Sequence, residues 1–159
     1  WLERLPGYAE QLLQDEPLEA GDVVLVISNS GRNAVPIDVA LAAKAGGATV
    51  LALTSVEFSR RVSSRHPSGK KLLDCADLVF DNYGADGDAA VHIPGCPSPV
   101  SATSTVVGGA LLQALVAATV AELQGRGHPA PVWQSANGEQ GEASNAAHIA
   151  AYRGRIKRL

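Results

Sequence analysis

A chain of 159 residues with 46% hydrophobic side chains is long enough to bury a core, and its net charge of -3 gives no general attraction for nucleic acid or acidic membranes. Aromatic residues make up only 4% and methionine is absent, so the apolar mass is Ala, Val, Leu and Ile, which suits helices packed on a small parallel sheet. Cys75 and Cys96 form no CxxC pair and read as two buried, reduced thiols of a cytoplasmic protein.

Residues 2–14 read as an amphipathic helix with Leu2, Leu5, Ala9, Leu12 and Leu13 on one face, too charged for a signal peptide. Pro17 and Gly21 punctuate the chain. DVVLVIS (22–28) is a β-branched run of the kind found in strands covered on both faces. A polar loop follows, then a helix over about 34–45, with Asn33 as N-cap, Pro36 in the first turn and Gly46-Gly47 as the stop. ATVLALT (48–54) is a second buried strand. A long loop and a short helical turn lead to a third strand, DLVFDN (77–82), and AAVHI (89–93) reads as a short strand.

Residues 104–124 read as an apolar helix, with Ser104 and Thr105 at its start as candidate N-caps first and candidate ligand contacts second. Val100 to Ala121 carries no charged residue, which raises the question of a membrane span. Its Ser, Thr and Gln content and the lack of flanking Lys or Arg clusters favour a helix buried all round, in the core or a subunit interface. A polar helix fits 143–157, and Arg153, Arg155, Lys157 and Arg158 read as its solvated basic end. Strand, helix, strand, link, strand is the α/β pattern, expected as a parallel sheet with right-handed crossovers.

In parallel α/β sheets ligands collect outside the carboxyl ends of the strands. The first strand ends in Ser28-Asn29-Ser30-Gly31-Arg32-Asn33, directly before a helix. Ser28 and Ser30 offer hydroxyls, Gly31 lets the backbone turn, and the helix start adds free amides and a positive dipole end. Such a loop suits an oxyanion without metal or lysine, although alone it is equally an ordinary polar turn with an N-cap. GxxxxGK[ST] and GxGxxG are absent, which argues against an NTPase or a dinucleotide enzyme.

The run GDVVLVISNSGRNAVPIDVALAAKAGGATVLALTS resembles the central strand–loop–helix–strand unit of SIS (sugar isomerase) domains. The similarity continues through SRHPSGKKL (64–72), ADLVFDN (76–82), TSTVVGGALLQALVA and YRGRI (152–156), in a branch related to phosphoheptose isomerases. The resemblance implies a flavodoxin-like α/β fold, a three-layer sandwich with a parallel sheet. It implies that Ser28, Asn29, Ser30, Gly31 and Asn33 bind the phosphate of a phosphosugar, with Thr54 and Ser55 as a second polar edge toward the sugar. Members usually carry an earlier strand with a Gly-Ser-Gly-like loop, so residues 1–159 are expected to form a single, incomplete SIS domain lacking its first strands.

Aldose–ketose isomerisation needs a base and an acid at the sugar. Glu57 and His66, in the loop after the second strand, are the candidates for these catalytic roles. His92, His128 and His148 are scattered, and no metal or cofactor is expected. Two functions remain open: a phosphosugar isomerase completed by a neighbouring subunit, or a module that senses a phosphosugar without turning it over. The expected partners are a phosphorylated sugar and a second copy of the chain, with no nucleic acid and no membrane.

Overall fold

The computed structural model of the protein describes residues 1–156. These form two compact units, Trp1–Leu112 and the residues from Gln113 onward. In the first unit the strands β1 (Val23–Ile27), β2 (Thr49–Thr54) and β3 (Leu78–Asp81) make a parallel sheet in sequence order. Val24 pairs with Val50 across β1 and β2, and Ala52 with Val79 across β2 and β3, so all three carboxyl ends lie together. This is the α/β arrangement expected from the β-branched runs.

Helix α2 (Ala34–Ala45) covers one face of the sheet. Its Ile37, Ala40 and Ala43 pack with Val26, Val50, Ala52 and with Leu72 and Cys75 of the short helix α4 (Leu72–Cys75). Small alanines on α2 let the helix lie close on the β-branched strands. Full burial of a residue such as Ile37 or Leu72 stabilises the fold by about 1.5–3 kcal/mol.

Asp77 locks the lower end of this layer. One carboxylate oxygen accepts the Val50 N–H at 2.9 Å and the other pairs with Lys44 of α2. The Lys44 hydrogen bond first, and then the Val50 amide, hold the Asp77 carboxyl below its ordinary range. A depressed carboxyl stabilises the fold above its unfolded-state pKa, near 4, and that contribution is lost as pH falls through the lower folded-state value. Asp77→Asn is therefore expected to flatten the acid limb of a stability–pH curve below about pH 4. An unchanged acid limb in denaturant titrations would contradict this role.

Several expectations are corrected. The N-terminal helix is broken into a 3-10 turn (Leu2–Arg4) and α1 (Tyr8–Leu13). Pro6 disfavours helix at Leu5, and Gly7, at φ 79°, donates its N–H to Asp38 Oδ2 at 2.9 Å. The loop after β2 contains a helix, α3 (Val56–Arg61), capped by the Ser55 hydroxyl, which accepts the Phe58 N–H at 3.4 Å. Strand β1 is covered on one face only. Val23 and Ile27, on the opposite side, are 62% and 55% exposed.

Strand β4 (Ala89–Val91) pairs antiparallel with an unanticipated β5 (Val100–Ala102). The apolar helix α5 (Thr103–Gly125) is not buried all round: Gly108 is its one buried residue, and Val106 is 73% exposed. Among the described residues α5 is the one helix long and apolar enough to cross a bilayer, a test that the core helix of a soluble protein also passes. Its start is capped by Asp88, whose carboxylate accepts the Ser104 N–H and hydroxyl, each at 2.7 Å, instead of by Ser104 or Thr105. Burial pushes the Asp88 carboxyl up, but the bonds from Ser104 and Thr103 outweigh this and hold it below the ordinary range. Cys75 is buried and its thiol pushed up by desolvation, whereas Cys96 is exposed in the loop between β4 and β5.

In the second unit, α6 (Gly141–Tyr152) replaces the helix expected over 143–157. Lys157 and Arg158, expected at its basic end, lie outside the described residues. Asn145 of α6 holds the preceding segment by two bonds to the Gln134 backbone, accepting its N–H at 2.9 Å and donating to its carbonyl at 2.8 Å. Trp133 and His148 pack with ring centroids 5.6 Å apart.

Candidate functional site

Strand β1 runs straight into the Ser28–Asn33 loop, and the chain is held there by backbone bonds from three sides. The Ser28 N–H donates to Leu53 O, and the Ser55 N–H to Asn29 O, each at 3.0 Å. The Leu72 N–H donates to Gly31 O at 2.8 Å, which fixes the far side of the turn. Gly31 sits at φ 58°, a left-handed conformation that favours glycine. A Cβ there would meet Leu72 Cβ at 3.1 Å and the Ser59 hydroxyl at 3.3 Å, so glycine is required by both backbone and space.

The Ser28 hydroxyl accepts the Gly31 N–H at 3.3 Å and keeps its own proton free to donate. The Ser30 side chain is half-buried and has no partner among the described residues. Asn33 is the N-cap of α2, yet its side chain makes no capping bond. Its Oδ1 instead accepts from Arg65 Nη1 at 3.1 Å. The Ala34 and Val35 amides, which have no intrahelical partner at a helix start, are therefore left without a side-chain cap. The loop thus carries two serine hydroxyls directly ahead of the uncapped, positive end of α2.

Thr54 and Ser55 lie beneath the loop, both fully buried. The Thr54 hydroxyl donates to Asn29 O at 3.0 Å and braces the loop from below, while the Ser55 hydroxyl donates to Gly84 O at 2.8 Å and ties down the segment after β3. Asn29 turns toward the end of β3, where its Oδ1 accepts from Asn82 Nδ2 at 3.0 Å. Gly84 fits against this pair: a Cβ there would come within 2.9 Å of both carboxamide oxygens. The Asn29 Nδ2 and Ser59 Oγ atoms are buried without a partner among the described residues.

His66 does not point at the loop as a free imidazole. Its Nε2 contacts Asp38 Oδ1 of α2 at 2.8 Å, and its Nδ1 accepts the Ser68 N–H at 3.1 Å with the Ser68 hydroxyl at 2.6 Å. Because Nδ1 accepts, the proton sits on Nε2 and is donated to Asp38, whose other oxygen holds Gly7. Glu57 is an exposed residue of α3 paired with Arg61, which also pairs with Asp86. Asp86 and Glu57 hold the Arg61 guanidinium above its ordinary value. A cleft of about 410 Å³ lined by Val56, Glu57, Arg60, Asp81, Tyr83 and Gly84 opens on that side of β3.

Asn82, Gly84, Arg65 and Asp38 contact the sequence-predicted residues, and the sequence alone does not single them out. Asn82 is legible in principle, since it ends a parallel strand at the same sheet edge. The others join the site through contacts that no local pattern encodes.

The chain is similar to relatives called UPF0309 proteins. One from Shouchella clausii (strain KSM-K16) is 44% identical over 155 residues, covering 98% of this chain and 63% of the relative. One from Geobacillus thermodenitrificans (strain NG80-2) is 43% identical, and one from Streptomyces coelicolor 42%, each covering 98% of this chain and 62% of the relative. The chain thus spans less than two thirds of the length of these relatives. Residues 1–55, which hold β1, the serine-rich loop, α2 and β2, match the family model of the SIS domain, and this match supports a SIS-domain family for the chain.

Proposed function

We propose that the Ser28–Asn33 loop binds the phosphate of a phosphorylated sugar. The observation that supports this most is the start of α2. Its amides carry no side-chain cap, because Asn33 is turned to Arg65, and the loop that leads into them carries the Ser28 and Ser30 hydroxyls, with protons to donate. An anion placed there gains hydrogen bonds and the helix dipole together. The family match over this segment supports the same reading.

A phosphosugar isomerase related to phosphoheptose isomerase would further need a base and an acid at adjacent carbons. The two candidates are engaged elsewhere, His66 by Asp38 and Ser68 and Glu57 by Arg61. Those contacts favour binding without turnover over an isomerase that uses this pair.

Ser30→Ala is the direct test. A hydrogen bond to a charged acceptor contributes about 1.5–3 kcal/mol, so affinity for hexose and heptose phosphates should fall about 10- to 100-fold. The free sugars should bind poorly to both proteins. Isothermal titration reads both comparisons, and equal affinities for Ser30→Ala and the parent would reduce the loop to a helix start.

A further inference from the structure

The loop between α3 and α4 faces the serine-rich loop through two crossed arginines. Arg32, on the serine-rich loop, donates from Nε to Ser63 O at 2.9 Å and from Nη2 to Ser63 Oγ at 3.1 Å. Arg65, on the opposite loop, reaches back from Nη1 to Asn33 Oδ1 at 3.1 Å, and its N–H donates to Arg32 O at 2.8 Å. Every acceptor here is neutral: a carbonyl, a hydroxyl or a carboxamide. Lys44 and Arg61 of this unit pair with carboxylates, Lys44 with Asp77 and Arg61 with Glu57 and Asp86, whereas Lys71, like the two arginines, donates to neutral oxygens.

In a chain with a net charge of -3, neither of these two guanidinium groups forms an ion pair with a carboxylate among the described residues, and the acidic side chain that acts on Arg65, Glu3, does so without a hydrogen bond to it. Partial desolvation, then the charges of Arg32 and Arg4, pull the Arg65 guanidinium below its ordinary value, and the charge of Glu3 offsets only part of this. Like charges repel, and a doubly charged anion between the loops would relieve that repulsion.

We propose that Arg65, backed by Arg32, is a ligand-binding residue that neutralises the second charge of the phosphate and makes the site selective for dianions. The inference rests on the phosphosugar reading above and adds to it the charge state of the ligand and the residue that reads it. Serine hydroxyls and helix amides hydrogen-bond any tetrahedral oxyanion. A guanidinium fork adds charge as well as geometry, and so discriminates a dianion from a monoanion of the same shape.

Glucose 6-phosphate and glucose 6-sulfate are suitable probes, because they share size and tetrahedral geometry and differ in charge at neutral pH. The parent protein should bind the phosphate at least about 10-fold more tightly than the sulfate. Arg65→Gln should weaken phosphate binding about 10- to 100-fold and bring the ratio of the two probes close to one. Arg65→Lys should keep most of the discrimination, and Ser30→Ala should weaken both probes alike. Thermal melting of each variant shows whether it is folded.

If Ser30→Ala weakens both probes while Arg65→Gln changes neither, the arginine proposal is overturned and the phosphate site stands. It is overturned equally if Arg65→Gln lowers only the melting temperature, which would make the crossed arginines a loop tie. If the parent binds neither probe better than glucose, the phosphosugar reading falls and the arginine proposal with it.

Discussion

Gly31→Val is expected to abolish phosphosugar binding and to destabilise the protein by about 2–6 kcal/mol. Two independent penalties combine. A β-branched residue at φ 58° is a backbone outlier, at roughly 1–3 kcal/mol. The new side chain must also enter a space where the first carbon alone would lie 3.1 Å from Leu72 Cβ and 3.5 Å from the Thr54 hydroxyl, and overpacking adds about 1–3 kcal/mol. Relief requires the loop to move, which would break the Gly31 O bond to Leu72 and displace the α2 amides. Denaturant unfolding and titration calorimetry read the two effects. Parent-like stability would mean that the turn can reorganise freely.

Leu72→Ala is expected to give the opposite split, a large stability loss with a small binding effect. The Leu72 side chain is fully buried between α2 and the sheet, and truncating such a leucine costs about 2–5 kcal/mol. Alanine keeps the Cβ that supports Gly31 and the N–H that donates to Gly31 O, so the floor of the loop survives above the cavity. Phosphosugar affinity, measured well below the melting temperature, should change less than about 10-fold. A complete loss of binding in the folded variant would show that the loop depends on the core layer beneath it and not on its own anchors.

The parallel strands and α2 are legible in the sequence because their patterns are long and unambiguous. VVLVI and TVLALT are β-branched or apolar throughout, and Asn33, Pro36 and Gly46 mark the helix between them. The serine-rich loop is legible from its place after a strand and before a helix. The short elements are not. Helix α3 has six residues and β4 and β5 have three each, too few for a period to declare itself, although Ser55 and Glu57 are a fair helix start. Pro6-Gly7 is a stronger break than the apolar spacing around it suggests.

Composition also misleads where burial depends on a neighbour. The apolar run of α5 says that the helix avoids charge, not what covers it, and Val116 remains 50% exposed. The same limit applies to the site. Arg65 meets Asn33 across 32 residues, His66 meets Asp38 across 28, and Asn82 meets Asn29 across 53. Each contact is produced by the parallel crossover, which brings distant loops to one sheet edge. No local spacing announces that the Asn33 side chain turns to Arg65 instead of capping its own helix.

Amide chemical-shift mapping tests the central claim most directly. Titration of the isotopically labelled protein with glucose 6-phosphate should shift the amides of Ser30, Gly31, Arg32, Ala34 and Val35 first and furthest, because these N–H groups surround the proposed phosphate. Glucose at the same concentrations should leave them in place. Shifts confined to the cleft beside Tyr83 and Arg60, or equal responses to glucose and its phosphate, would contradict phosphate binding at the serine-rich loop.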